Sequence, residues 1–195
     1  PPRNEITGIV MKKFRVLAGD PGTINFALSV IEYNEGKLTV VGTKMVAHPF
    51  RDLSSRTAAA DLWKFTREIK RIIDQYEIDA LYFERFQVRG SNATAIEGIN
   101  VMLGSVLMLA FRLKLLARLI TASTWKNNFN RNNETQTKLD ELYKEFKLTS
   151  KFSPKAIHEF DASLIGVYCI YDTLVQSRKP FVGFDAHAFF EHFIS

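Results

Sequence analysis

The stretch Gly19-Asp20-Pro21-Gly22-Thr23-Ile24-Asn25-Phe26-Ala27 constrains the fold more than any other part of the chain. It joins a mostly apolar run, Phe14 to Ala18, to a second apolar run, Leu28 to Ile31. A carboxylate at the end of a buried strand loses hydration and is costly there unless something binds it. The Pro-Gly step turns the chain, so the second run returns as a strand. Asp20 therefore has two readings at this point, ordinary turn chemistry or a ligand at a strand end.

The first section reads as three strands, Phe14 to Gly19, Phe26 to Tyr33 and Leu38 to Val46, with a hairpin signal at Asn34-Glu-Gly-Lys37. A helix is expected from Ser54 or Ser55, either of which could cap it. Leu62, Phe65, Ile69, Ile72, Ile73 and Tyr76 supply its apolar stripe. The almost continuous apolar run Ile78 to Phe83 reads as a strand covered on both faces, and it ends on Glu84. A right-handed crossover can lay this strand parallel to the first, which puts Asp20 and Glu84 on the same sheet edge.

Residues Arg85 to Asn92 mix basic, aromatic and small polar groups and read as a loop on that edge. A long helix is expected over 93–116, apolar on more than one side and so buried on more than one side, within the domain or against a second subunit. Gly98 and Gly104 cost helix propensity, for which close backbone packing is a reason. A strand over 117–121 leads to an amide-rich polar stretch over 122–133 with two basic and two aromatic residues. That stretch suits phosphate contact or, equally, an ordinary loop with Trp125 pinned to the core. An amphipathic helix is expected over 134–146, followed by a basic connector and a largely apolar helix over 156–171. His158 and Asp161 stand three apart on that last helix and share a face, whereas Glu159 points elsewhere. From about residue 176 the tail is rich in phenylalanine.

With 195 residues, 46% of them hydrophobic, the chain can bury one sizeable core, and a single domain over 11–195 is expected. Residues 1–10 read as a tag or loose extension. No charge-free apolar run reaches the roughly 18 residues of a membrane span. No secretory signal is recognisable, and Cys169 is the sole cysteine, so a reducing cytoplasmic setting is expected. The net charge of +5, weighted to the second half, hints at a polyanionic partner.

Asp20, Glu84, His158 and Asp161 thus stand at element ends. Clustered carboxylates repel one another, and a divalent cation keeps them ionised together. Oxygen-rich sets suit Mg²⁺, and one imidazole favours acceptance of Mn²⁺. Two such ions about 4 Å apart can activate water and stabilise the leaving oxygen in phosphodiester hydrolysis.

At these residues the chain resembles the RuvC family of Holliday-junction resolvases. The resemblance rests on Gly19-Asp20-Pro21-Gly22 after the first strand, Glu84-Arg-Phe86 after the fourth, and His158-Glu-Phe-Asp161-Ala162 in the last helix, in the family's order and approximate spacing. It implies an α/β fold, an RNase H-like mixed five-stranded sheet flanked by helices. It also implies a homodimer through the helix over 93–116, and paired symmetric nicks across four-way DNA junctions with two Mg²⁺ or Mn²⁺ ions per site. Asp20, Glu84, His158 and Asp161 would be the metal and catalytic residues, with Lys126 near the scissile phosphate. Arg85, Phe86, Gln87, Arg89, Ser91, Asn92, Trp125, Lys126, Asn127 and Arg131 would contact DNA.

Two departures stand out. The stretch 124–133 does not reproduce the family's glycine-containing basic loop, and the tail has no counterpart, which suits a compact, divergent member such as a phage-encoded one. Other readings stay open: a broader RNase H-like nuclease on forks, flaps or hybrids, a non-catalytic junction-binding protein, and an ATPase of the actin, sugar-kinase and heat-shock-chaperone type. The ATPase needs a second glycine-rich aspartate loop, and none appears.

Overall fold

The computed structural model describes residues 13–22, 25–34, 37–47, 53–85, 93–129, 154–170 and 172. Five strands, β1 (Lys13–Pro21), β2 (Asn25–Asn34), β3 (Lys37–Ala47), β4 (Ala80–Glu84) and β5 (Leu116–Ile120), form one mixed sheet in the order β3-β2-β1-β4-β5. The hairpins make β1, β2 and β3 antiparallel, and the Asn34↔Lys37 pair closes the second turn where the Asn-Glu-Gly signal lies. The crossover α1 (Ala58–Tyr76) returns the chain so that β4 runs parallel to β1, and α2 (Ala93–Leu113) does the same for β5. Two further helices complete the described order, α3 (Ala122–Phe129) and α4 (Pro154–Ile170).

Strand β1 lies at the centre of this sheet, and its Val16, Leu17 and Ala18 are all fully buried, as expected of a strand covered on both faces. The two-residue side-chain period sorts them. Val16 and Ala18, with Ala80 and Tyr82 of β4, face the layer made by Trp125 of α3 and Phe160, Leu164 and Val167 of α4. Leu17, Leu81 and Phe83 face α1 and α2 through Phe65, Ile69, Ile99, Met102 and Val106. Helix α4 approaches closely, because a Cβ at Gly166 would stand 2.4 Å from Ile31 Cγ1. The same layer contact carries a buried Ser29–Ser163 hydroxyl pair at 2.7 Å.

Most element limits differ from the sequence reading by a residue or two, and three differences are larger. Helix α2 ends at Leu113 rather than at 116, ahead of Lys114 with its left-handed φ of 57°. Helix α1 begins at Ala58, with Thr57 at the N-cap and no side-chain cap. Ser54 and Ser55 lie in the turn ahead of it, where the hydroxyls of Ser55 and Thr57 bond each other at 3.0 Å. Part of the stretch read as a polar loop from 122 is helix α3, introduced by Thr121, whose Oγ1 accepts from the Thr124 backbone N–H at 3.3 Å. The helix expected over 134–146, the tail from 176 and residues 1–10 lie outside the described residues.

At the far end of the sheet, Arg15 clamps β1 to its neighbours. Its guanidinium donates to Glu32 at 2.6 Å and to the Tyr76 carbonyl at the C-terminal end of α1 at 2.7 Å, while its backbone N–H donates to Asp79 at 2.8 Å. Among the described residues, α2 contains the one segment long and apolar enough to cross a membrane, Ile96–Leu113, with mean hydropathy 1.5. Here Ile99, Met102, Leu103 and Val106 of that segment are packed in the core.

A second ion network joins β3 to α1. Glu68 accepts from Arg71 and from Lys44, and the Arg71 hydrogen bond, ahead of Lys44, holds its carboxyl at about 2 against an ordinary 4.5. Because the folded-state value is depressed, the contribution is complete above 4.5 and is lost as pH falls through about 2. Glu68→Gln should therefore lower stability near neutral pH by about 0.5–1 kcal/mol, the small size reflecting solvent around both cations. Urea melts should find the difference from wild type closing towards pH 2.

Candidate active site

The parallel register of β1 and β4 pairs Ala18 with Tyr82 and Gly19 with Phe83. One step further along both strands stand Asp20 and Glu84, side by side at the C-terminal edge. Asp20 is two residues beyond Ala18 and Glu84 two beyond Tyr82, so both carboxylates belong to the α4 side of the sheet. The carboxylate of Asp20 is poorly hydrated, with the residue only 9% exposed.

Helix α4 brings its own ionisable groups to this edge. His158 Nδ1 lies 2.7 Å from Asp20 Oδ2, and a proton on Nδ1 makes the imidazole the donor. The hydrogen bond to Asp20 pushes the His158 pKa up, desolvation opposes it, and the charges of Asp20 and Asp161 add to the rise. Asp161 follows one turn later on the same face and acts on the imidazole through its charge.

Glu84 has a partner that the sequence did not identify. Trp125 of α3 is fully buried, and its indole N–H donates to Glu84 Oε2 at 2.7 Å. The expectation of Trp125 as a DNA-contacting aromatic is corrected here: with no exposed surface, the ring cannot stack on a base. Lys126 caps the assembly from outside, its ammonium 5.0 Å from the Trp125 ring centroid. The only sequence cue for this role is a tryptophan shortly after a strand on the edge that carries the acids.

The structure thus joins Asp20 directly to His158, sets Asp161 in electrostatic reach of His158, and sets Glu84 on the strand beside Asp20. Arg85 and Asn127 are exposed, and Lys126 is partly exposed. Phe86, Gln87, Arg89, Ser91, Asn92 and Arg131 lie outside the described residues. In chemical kind, the three carboxylates and one imidazole fit a hard divalent cation. The side chains are paired otherwise, Asp20 with His158 and Glu84 with Trp125, and among the described residues no three His, Cys, Asp or Glu side chains are gathered closely enough to hold an ion.

A cavity of about 570 Å³ lies elsewhere, between α1 and α2, lined by residues that include Trp63, Met108, Leu109 and Leu113 with Arg67 and Arg112. Its largely apolar lining suits packing rather than hydrolysis.

By sequence the chain matches no protein-family model and no curated protein. Its structure is similar to that of Thermus thermophilus RuvC, at 19% identity and a TM-score of 0.61, over 83% of this chain and 97% of that one. The T. thermophilus RuvC in complex with Holliday junction substrate gives 18% identity and a TM-score of 0.58 over 82% and 94%. The yeast mitochondrial Holliday junction resolvase Ydc2 gives 15% and 0.55 over 78% and 76%. This chain shares the fold of these three structures, a mixed five-stranded sheet flanked by helices, as the sequence motifs implied.

Proposed function

We propose that this chain is a metal-dependent, structure-selective endonuclease that cuts four-way DNA junctions. The observation that carries the reading is Asp20 and Glu84 on adjacent parallel strand ends, with His158 of α4 bonded to Asp20 and Asp161 one turn further along that helix, in a fold shared with a RuvC solved on a Holliday junction substrate. Asp20, Glu84 and Asp161, with His158, would hold Mg²⁺, and Mn²⁺ by the same donor chemistry. Bound there, such ions supply a water activated at neutral pH and charge stabilisation at the leaving oxygen.

The chain's own residues prepare that chemistry. Asp20 sits in a poorly hydrated edge where charge interactions are stronger than in water. His158 can hold a proton at Nδ1 against Asp20, and moving away from Asp20 would release a carboxylate oxygen. Exposed Arg85 and Asn127, and Lys126 above Trp125, provide phosphate contacts beside the carboxylates. The test is incubation with a four-way junction, a fork, a flap and a linear duplex in Mg²⁺, Mn²⁺ or EDTA. The reading expects metal-dependent cutting of the junction ahead of the rest. Equal cutting of flaps or forks would favour a broader nuclease.

A second copy of the chain is the proposed partner for α2. Phe111 is 79% exposed and Met108 63%, and the groove containing Trp63 adjoins them. Gly104, on the same helix, has no atom of the described residues beyond its own helix backbone and chain neighbours within 4 Å of where a Cβ would stand. A glycine inside an exposed helix face costs about 1 kcal/mol against alanine, which a second helix crossing closely at that point would offset. Phe111→Asp should weaken the dimer roughly 30-fold, the loss of about 2 kcal/mol typical of a buried aromatic anchor. Light scattering at micromolar concentration should find a dimer for wild type and a shift towards monomer for the variant. A wild-type monomer would contradict this assignment.

A further inference from the structure

We infer that Trp125 is the positioning residue for Glu84, and that Lys126 is held at the site by the same ring. This rests on the reading of Glu84 as a metal carboxylate. An ionised carboxylate at a strand end has several rotamers, and a ligand set works only when each oxygen is aimed before the ion arrives. Glu84 is aimed by a strong donor, since the indole N–H reaches its Oε2 at 2.7 Å. The donor itself cannot drift. Trp125 is fully buried in the cluster with Phe160, Leu164 and Ile120, so α3, α4 and β5 all fix its ring.

The second face of the residue explains its neighbour. Lys126 follows directly in α3, and its ammonium rests 5.0 Å from the ring centroid. One side chain therefore sets both a carboxylate expected to bind metal and a cation expected near phosphate. Helix α3 owes its start to Thr121, at the end of β5, so the arrangement is anchored to the sheet. An indole supplies what phenylalanine cannot: a ring for the cation and an edge N–H for the carboxylate.

The test begins with the indole N–H signals of the two tryptophans in a proton–nitrogen correlation spectrum, assigned with Trp63→Phe. Glu84→Gln should move the Trp125 signal upfield, because a charged acceptor is replaced by a neutral one, and should leave the Trp63 signal in place. An unchanged Trp125 signal would overturn the inference whether or not the protein binds metal. In the second arm, Trp125→Phe keeps an aromatic ring and removes the N–H. Calorimetric titration with Mn²⁺ should find affinity reduced by about 10- to 100-fold, the range for loss of an outer-shell partner.

A merely structural tryptophan would lower the melting temperature and leave Mn²⁺ affinity as in wild type, and that result also overturns the inference. Should Trp125→Phe fail to fold, the same titration on protein carrying benzothienylalanine at position 125, which has the indole shape without the N–H, gives the same two outcomes. A wild-type protein that binds no Mn²⁺ but whose Trp125 signal responds to Glu84→Gln would contradict the metal reading and retain the positioning contact.

Discussion

Asp20→Asn should abolish strand cleavage while junction binding and the fold survive. Asparagine has the size and shape of aspartate, so the central strand keeps its packing, and the oxygen of the new amide can still accept from His158 Nδ1–H. What is lost is the negative charge at a residue only 9% exposed, where it interacts strongly with whatever cation it faces. A ligand contributing several kcal/mol of transition-state stabilisation corresponds to a rate loss on the order of 10³-fold or more. Single-turnover nicking, junction binding by mobility shift and a thermal melt separate the three properties. A variant that cuts at about a tenth of the wild-type rate would remove Asp20 from the centre of the account.

Gly19→Ala should have the second largest effect, out of proportion to a single methyl group. A Cβ at this position would stand 2.3 Å from Phe83 Cδ1 and 2.7 Å from Phe26 Cε1. Neither ring can retreat cheaply. Phe83 and Phe26 are buried with their centroids 5.5 Å apart, and Phe26 packs on Phe65 of α1 at 5.4 Å. Overpacking of such a site costs about 1–3 kcal/mol, which in a protein of this size lowers the melting temperature by very roughly 2–12 °C. Strain relieved by shifting β1 would move the next residue, Asp20, so nicking should fall further than stability alone predicts. A calorimetric melt and a nicking rate measured well below the transition check the two parts. Wild-type values for both would contradict the packing argument.

These two adjacent positions also indicate what could be read from the sequence. The Pro-Gly turn between two apolar runs, the Asn-Glu-Gly hairpin and the run ending on Glu84 each had a local physical cause, and from them followed the strand order and the shared edge of Asp20 and Glu84. The i, i+3 spacing placed His158 and Asp161 on one face, and the structure adds that His158 reaches Asp20 directly. Helix α3 was hidden because its amide-rich composition reads as loop, and its one strong cue, Thr121 three residues before Thr124, is common in turns as well. The role of Trp125 was not legible. Whether a tryptophan faces solvent or core depends on tertiary packing, and nothing local distinguishes a base-stacking ring from one that donates to Glu84. Gly104 went the other way: close backbone packing was expected of it, and among the described residues nothing beyond its own helix backbone and chain neighbours stands within 4 Å of where a Cβ would be.

The most direct measurement of the account is a cleavage assay on a four-way junction in which each of the four strands is labelled in turn, with Mg²⁺ and with EDTA. Nicks are expected in two opposed strands at matching positions near the branch point, in Mg²⁺ only. Tight binding of the junction with every strand left intact in both Mg²⁺ and Mn²⁺ would contradict that expectation.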